Sequence, residues 1–383
     1  MNRSNQLTEI HQSGKPYIIY KSKKGFNLYT NFSKKIILNN KNIKSFLTKK
    51  NKKKSKDTDL FIGFFGYELL NNLIDVKIPK QNNSNFPKGI FYKPEKKIKL
   101  SNKLNYDFEN FKSGNFKINI NRKNYTKIFN KFKKKIKSGE TYQIKICTKY
   151  KTKSKINPLD FFSRLSNTNL APEAFMIKDH NYSIISCSPE TLITKKGSDI
   201  STKPIAGTVK KTKHLNKMMA LNYFRKNLKE TKEHNMIVDM ERNDLSRICK
   251  VGTVKLSKQK IVEEYKDLFH YVSLIKGKLK KNINNFEIIK AMMPGGSVIG
   301  CPKINTLNLL NNQEKENRNI YTGSFGYIKF NGDMRFNIII RSILNFKNIS
   351  EISVASGVVV DSNVNHEFNE NFLKAKALID LFK

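Results

Sequence analysis

The stretch KETKEHNMIVDMERNDLSR, residues 229–247, places two carboxylates, Glu230 and Glu233, three positions apart ahead of an apolar run. On a helix that spacing stacks both on one face, and Ile237 continues the face one turn later. A second stretch, DSNVNHEFNENFLKAK at 361–376, repeats the pattern with Glu367 and Glu370 and adds Lys374 four residues on. Four acidic groups on two helices suit one hard cation, because Mg²⁺ takes oxygen ligands and keeps waters that a substrate can share. The competing reading is a pair of solvated helix faces.

Around these two helices the chain from Asn119 onward reads as one α+β unit. Residues 121–138 carry Tyr125, Ile128, Phe129, Phe132 and Ile136 at helical intervals, so an amphipathic helix with a lysine-clad outer face is expected. A strand over 144–150, a short helix over 159–165 and paired strands over 171–177 and 182–186 follow. Pro204-Ile-Ala-Gly-Thr208 is small-residued and free of lysine, as a backbone approaching a ligand requires. Glu241-Arg-Asn-Asp244 is read as ending the first acidic helix. A strand over 268–278 contains His270, either packed in the core or catalytic. The glycine-rich loop 293–303, with Ser297 and Lys303, leads into a helix near Ile304, and amides at a helix start suit an anion. Asn331-Gly332 signals a hairpin between strands 323–330 and 334–343. Arg341 lies in that second apolar run, where a charge needs an anionic partner or a route to solvent. A last strand over 352–360 precedes the second acidic helix. The set suits a small dianionic substrate held partly by a divalent cation.

Residues 1–118 form a lysine- and asparagine-rich N-terminal section with apolar islands at 16–20 and 60–67, read as strands. The run KKNKKKSK at 49–56 reads as an exposed loop. The formal charge is +42, from 73 Lys and Arg against 31 Asp and Glu. Lysine is spread through every segment, alongside abundant Asn, Ile, Phe and Tyr and no Trp, as base composition alone would produce. Arginine, preferred for bidentate phosphate recognition, is scarce. A basic nucleic-acid-binding protein is therefore the reading of a second class, and no nucleic-acid partner is expected. Four single cysteines without a CxxC pair argue against a disulfide framework or a zinc site. No apolar run approaches the roughly 18 to 20 residues of a membrane span. The opening residues MNRSNQLTEIHQSG lack a signal-peptide core, so a soluble, cytoplasmic protein with no membrane partner is expected.

The stretches SPETL (188–192), PIAGT (204–208), EHNMIVDMERNDLSR (233–247), HYVSLIKGKL (270–279), PGGSVIGCPK (294–303), YTGSFGY (321–327), IIIRS (338–342) and SGVVVDS (356–362) resemble, in order, the chorismate-utilising enzymes. That family includes the anthranilate, aminodeoxychorismate, isochorismate and salicylate synthases. The resemblance runs over 119–383, a chorismate-binding catalytic domain, and is loose before it. It implies a large antiparallel β-sandwich core with helices packed outside, and Mg²⁺ as cofactor.

By resemblance, Glu233 and Glu370 ligate the ion and Glu230 and Glu367 hold its waters. Arg341 and Tyr321 hold the enolpyruvyl carboxylate of chorismate, aided by backbone amides near Ser356 and Gly357. Ser297, Lys374 and Thr208 line the site. His270 assists departure of the ring C4 hydroxyl, Glu190 is a candidate acid/base, and Lys303 contributes further.

Two departures stand out: Ala355-Ser-Gly357 where the family has Gly-Ala-Gly, and Val209-Lys-Lys211 where arginines often follow PIAGT. Ala206 is usual in anthranilate-forming members. The PGGS motif, Tyr142-Gln143, and Ala171-Pro172 with Phe175 look more like aminodeoxychorismate-forming members, as does the absence of an LLES-like segment. These features favour para amination, on the route to 4-aminobenzoate and folate. The alternative is ortho amination, on the route to tryptophan. No cysteine-centred glutaminase section is present, so a separate amidotransferase subunit is expected to supply ammonia from glutamine.

Overall fold

A computed structural model describes residues 3–49, 56–74, 76, 85–104, 106, 114–168, 170–265 and 268–383. Most of the lysine run at 49–56, expected as a loop, lies outside the described residues.

Antiparallel pairing links strands from both ends of the chain into one ribbon. It begins at Lys117–Ile118 and passes through Gln143–Lys153, Ile349–Val358, Ser342–Phe346, Tyr182–Ser188, Glu173–Lys178 and Tyr17–Ser22. It continues through Gly25–Ile37, Gly89–Leu100, Leu60–Phe65, Ser324–Lys329, Met334–Asn337 and Thr191–Lys196. Asp199–Lys203, Leu268–Lys278 and Lys255–Glu264 close it. The ribbon folds back on itself as a sandwich. Phe175 and Phe325, both fully buried, stack across the layers with ring centroids 3.8 Å apart, and Phe64 meets Tyr182 edge-on at 6.3 Å.

The helices clothe the outer faces, each for a legible local reason. Arg122–Lys137 buries Tyr125, Phe129, Phe132 and Ile136; the Asn121 side chain caps its start by accepting from the Asn124 N–H, and lysines at 134, 135 and 137 complement its dipole. Leu228–Ile248 is capped by Asn227 and Val364–Ile379 by Asn363.

Three expectations are corrected. The first acidic helix does not stop at Glu241–Asp244; it runs on to Ile248, because Leu245 and Ile248 are buried and reward another turn. The run 334–343 is two strands, Met334–Asn337 and Ser342–Phe346. Between them Ile338 N–H bonds Glu190 O and Ile339 N–H bonds Gly323 O, so the chain crosses between layers with Arg341 at φ +50°. The final strand ends at Val358 rather than 360.

Candidate active site

The strands Gln143–Lys153 and Ile349–Val358 pair with Lys145 opposite Gly357 and Cys147 opposite Ala355, and the two acidic helices rise over them. Between them lies a cavity of about 470 Å³. Hollows of about 420 and 630 Å³ exist elsewhere, so volume does not select the site; the convergence of chemistry does.

Glu230, Glu233, Glu367 and Glu370 all line this cavity. They do not form one tight cluster. Among the described residues, the ligand atoms of His366, Glu367 and Glu370 lie within 4.8 Å of one another, and His366 went unnoticed in the sequence. Glu233 Oε1 instead accepts from Lys145 Nζ at 2.8 Å and Gln143 Nε2 at 2.7 Å. Burial would raise the Glu233 carboxyl, but Lys145 and the Gln143 amide outweigh it and hold the group at about 2. Glu370 is likewise held low against its burial, by Lys374 at 2.7 Å. Glu367 Oε1 accepts from Ser362 Oγ at 2.9 Å. Two carboxylate pairs lining one cavity and already drawing cations offer the oxygen donors that a magnesium ion would take.

Arg341 lines the same cavity. Among the described residues no carboxylate pairs with its guanidinium, and burial lowers its pKa, so an anion there gains a charge-assisted partner. Tyr321, buried, also lines the cavity. His270 Nδ1 is 2.8 Å from Thr208 Oγ1. Burial first, then Arg341, pushes His270 down to about 4, so it is neutral at pH 7. Glu190 behaves oppositely: burial pushes it up to about 7, with the Ser297 hydroxyl opposing, which poises it for proton transfer near neutrality. Gly207 has φ +96°, and a Cβ there would meet Phe224 and Glu230 Oε2, so the PIAGT segment runs close against the first acidic helix.

Two predicted residues are not brought into the cavity by their side chains. Lys303 is buried in an ion pair with Asp244. Ser356 faces away and shares a 2.7 Å hydrogen bond with the Tyr125 hydroxyl, while its neighbours Ala355 and Gly357 line the site, as strand alternation requires. The glycines at 295 and 296 are closely packed: a Cβ would strike Ile338 at 2.5 Å and Met240 at 2.2 Å. Sequence reasoning missed Lys145 and Gln143. The signal was present, since both fall on one face of a strand two residues apart.

One cavity thus gathers four carboxylates from two helices and an arginine. Residues 104–380 match the model of the chorismate binding enzyme family, and the chain belongs to that family. It is 34% identical over 267 residues to aminodeoxychorismate synthase component 1 of Bacillus subtilis, covering 70% of this chain and 57% of that protein. It is 31% identical to an anthranilate synthase component I-like protein of Synechocystis, over 83% of this chain and 72% of the other. The chain thus spans little more than half the length of the Bacillus relative. Anthranilate synthase component I of Streptococcus pneumoniae superposes with TM-score 0.79 at 23% identity, covering 95% of this chain and 92% of that one. The menaquinone-specific isochorismate synthase of Escherichia coli gives 0.77 at 15% identity, covering 96% and 89%. At these identities both structures speak to the fold. Among the described residues no helix is long and apolar enough to cross a membrane.

Proposed function

We propose that the chain is the chorismate-aminating component of an aminodeoxychorismate synthase, taking ammonia from a separate glutamine amidotransferase subunit. The observation that carries this reading is Arg341, without an ion-pair partner among the described residues, lining one cavity together with Glu230, Glu233, Glu367 and Glu370. Chorismate is a dianion whose two carboxylates match that set: one to the guanidinium and Tyr321, the other toward the acidic pairs through a cation.

Glu233 and Glu370 would hold the magnesium ion, with Glu230 and Glu367 on its waters. Bound there, it would neutralise the ring carboxylate and ease loss of the ring hydroxyl. The chain's own residues do the rest. Glu190, held at about 7, exchanges a proton with the departing hydroxyl or the entering amine. His270, neutral and fixed by Thr208, contributes a hydrogen bond rather than a full charge. Ser297 lines the cavity with Glu190, and Lys374 donates to Ala355 O at 3.0 Å while pairing with Glu370. Ala206, also lining the cavity, puts no lysine at the position where many aminodeoxychorismate-forming members carry their nucleophile, so ammonia attacks directly.

The para assignment is supported by the Bacillus relative and by the Tyr142-Gln143 and PGGS sequences. The second reading, ortho amination to anthranilate, is favoured by Ala206 and by relatives such as anthranilate synthase component 1 of Buchnera aphidicola, 32% identical over 88% of this chain. Incubation with chorismate, Mg²⁺ and ammonium, followed by separation of products, tests both. Aminodeoxychorismate is expected. Anthranilate would transfer the chain to the second reading. No consumption of chorismate, together with selective nucleic-acid binding at physiological salt, would reject both.

A further inference from the structure

The Lys145 ammonium lies where a metal's charge is wanted. Its side chain rises from the strand floor, and its Nζ bonds Glu233 Oε1 at 2.8 Å. Gly357, directly opposite on the paired strand, makes this possible: a Cβ there would come within 2.7 Å of Lys145 Nζ and 2.8 Å of Gln143 Nε2. Any larger residue would require both donors to shift. Lys374 serves Glu370 as Lys145 serves Glu233. The two acidic pairs are thus held side by side by cations the chain itself supplies.

We infer that Lys145 is an internal counter-cation that occupies Glu233 in the metal-free protein and must be displaced before a divalent ion can bind there. The inference rests on the proposed magnesium site and adds a property to it. Like-charged cations cannot share one carboxylate oxygen at close range in a partly buried cavity. Metal entry therefore breaks the Lys145–Glu233 ion pair, and the free ammonium turns toward the space where an anionic substrate lies. Lys145 then weakens metal binding to the empty protein and favours loading when the substrate's carboxylate is present to receive the displaced charge.

The test is titration of the full chain with Mn²⁺ alone, with free Mn²⁺ counted by electron paramagnetic resonance, in the wild type, Lys145→Met and Lys145→Gln. Circular dichroism checks that each variant is folded. Removing the competing charge should tighten Mn²⁺ binding at least about tenfold in both variants, at one ion per chain. Glu370→Gln should abolish the site in every background. Unchanged or weaker binding in the folded Lys145 variants, with a saturable wild-type site, overturns this inference and leaves the metal site standing. No saturable site in any of the proteins overturns both.

Discussion

In the proposed reaction Arg341 and Glu190 act from opposite directions, one as a fixed charge and one as a movable proton. Arg341→Lys keeps the charge and loses the planar fork, so KM for chorismate should rise roughly 10- to 100-fold with a smaller change in kcat, read from steady-state kinetics. Glu190 makes a prediction about stability as well as rate. Its carboxyl sits at about 7 when folded, above its ordinary 4.5, so between those values the folded chain binds more protons than the unfolded one. Its contribution to stability therefore falls as pH rises through that window. Glu190→Gln should melt like the wild type near pH 5 and at a higher temperature at pH 8, while turnover drops on the order of 10²- to 10⁴-fold. A lower melting point at pH 8 would contradict the buried, poised carboxyl. At this scale the sequence was legible where a residue type is rare for its context, as with an arginine inside an apolar run. It was illegible where the type is common. Lys145 resembles dozens of other lysines until a facing glycine and a facing glutamate single it out. Lys303 misled for the complementary reason, because its partner Asp244 lies 59 residues away.

The two acidic helices are the elements that set the site, and each begins with an asparagine cap that fixes its first turn. Asn363 accepts from the Asn365 and His366 N–H groups just ahead of Glu367. Asn363→Ala should cost about 1 kcal/mol of stability in denaturant melts. Its effect on the Mg²⁺ requirement should exceed that of a cap elsewhere, because the loosened turn carries Glu367. An equal effect from Asn284→Ala, a cap on the Asn285–Met292 helix outside the cavity, would show that the turn is not special. Helix existence was readable from the 3.6-residue spacing of apolar positions. Helix ends and the break at 338–341 were not, since they depend on what each residue packs against. Leu245 and Ile248 extend one helix by being buried, and Ile338 leaves its strand to cross between layers.

Across the whole molecule, the antiparallel ribbon joins strands from the first hundred residues to those that floor the cavity, and its layers meet at aromatic contacts. Phe175→Ala, which empties one half of the stacked pair with Phe325, should destabilise the fold by about 3 to 5 kcal/mol. Because that pair lies in the sandwich interior away from the cavity, the folded fraction should keep its Mg²⁺ requirement. The alternation and hairpin signals announced individual strands and the family resemblance implied the large antiparallel sandwich, but the order of strands was beyond both, since neighbours such as Tyr17–Ser22 and Glu173–Lys178 are far apart in the chain. The account as a whole stands on two helices presenting carboxylates to one cation over one anionic substrate. The most direct measurement is Mg²⁺-dependent consumption of chorismate with ammonium by the wild type, Glu233→Gln and Glu370→Gln, each confirmed folded. The account predicts turnover in the wild type and its loss in both variants. Full activity in either folded variant would contradict it.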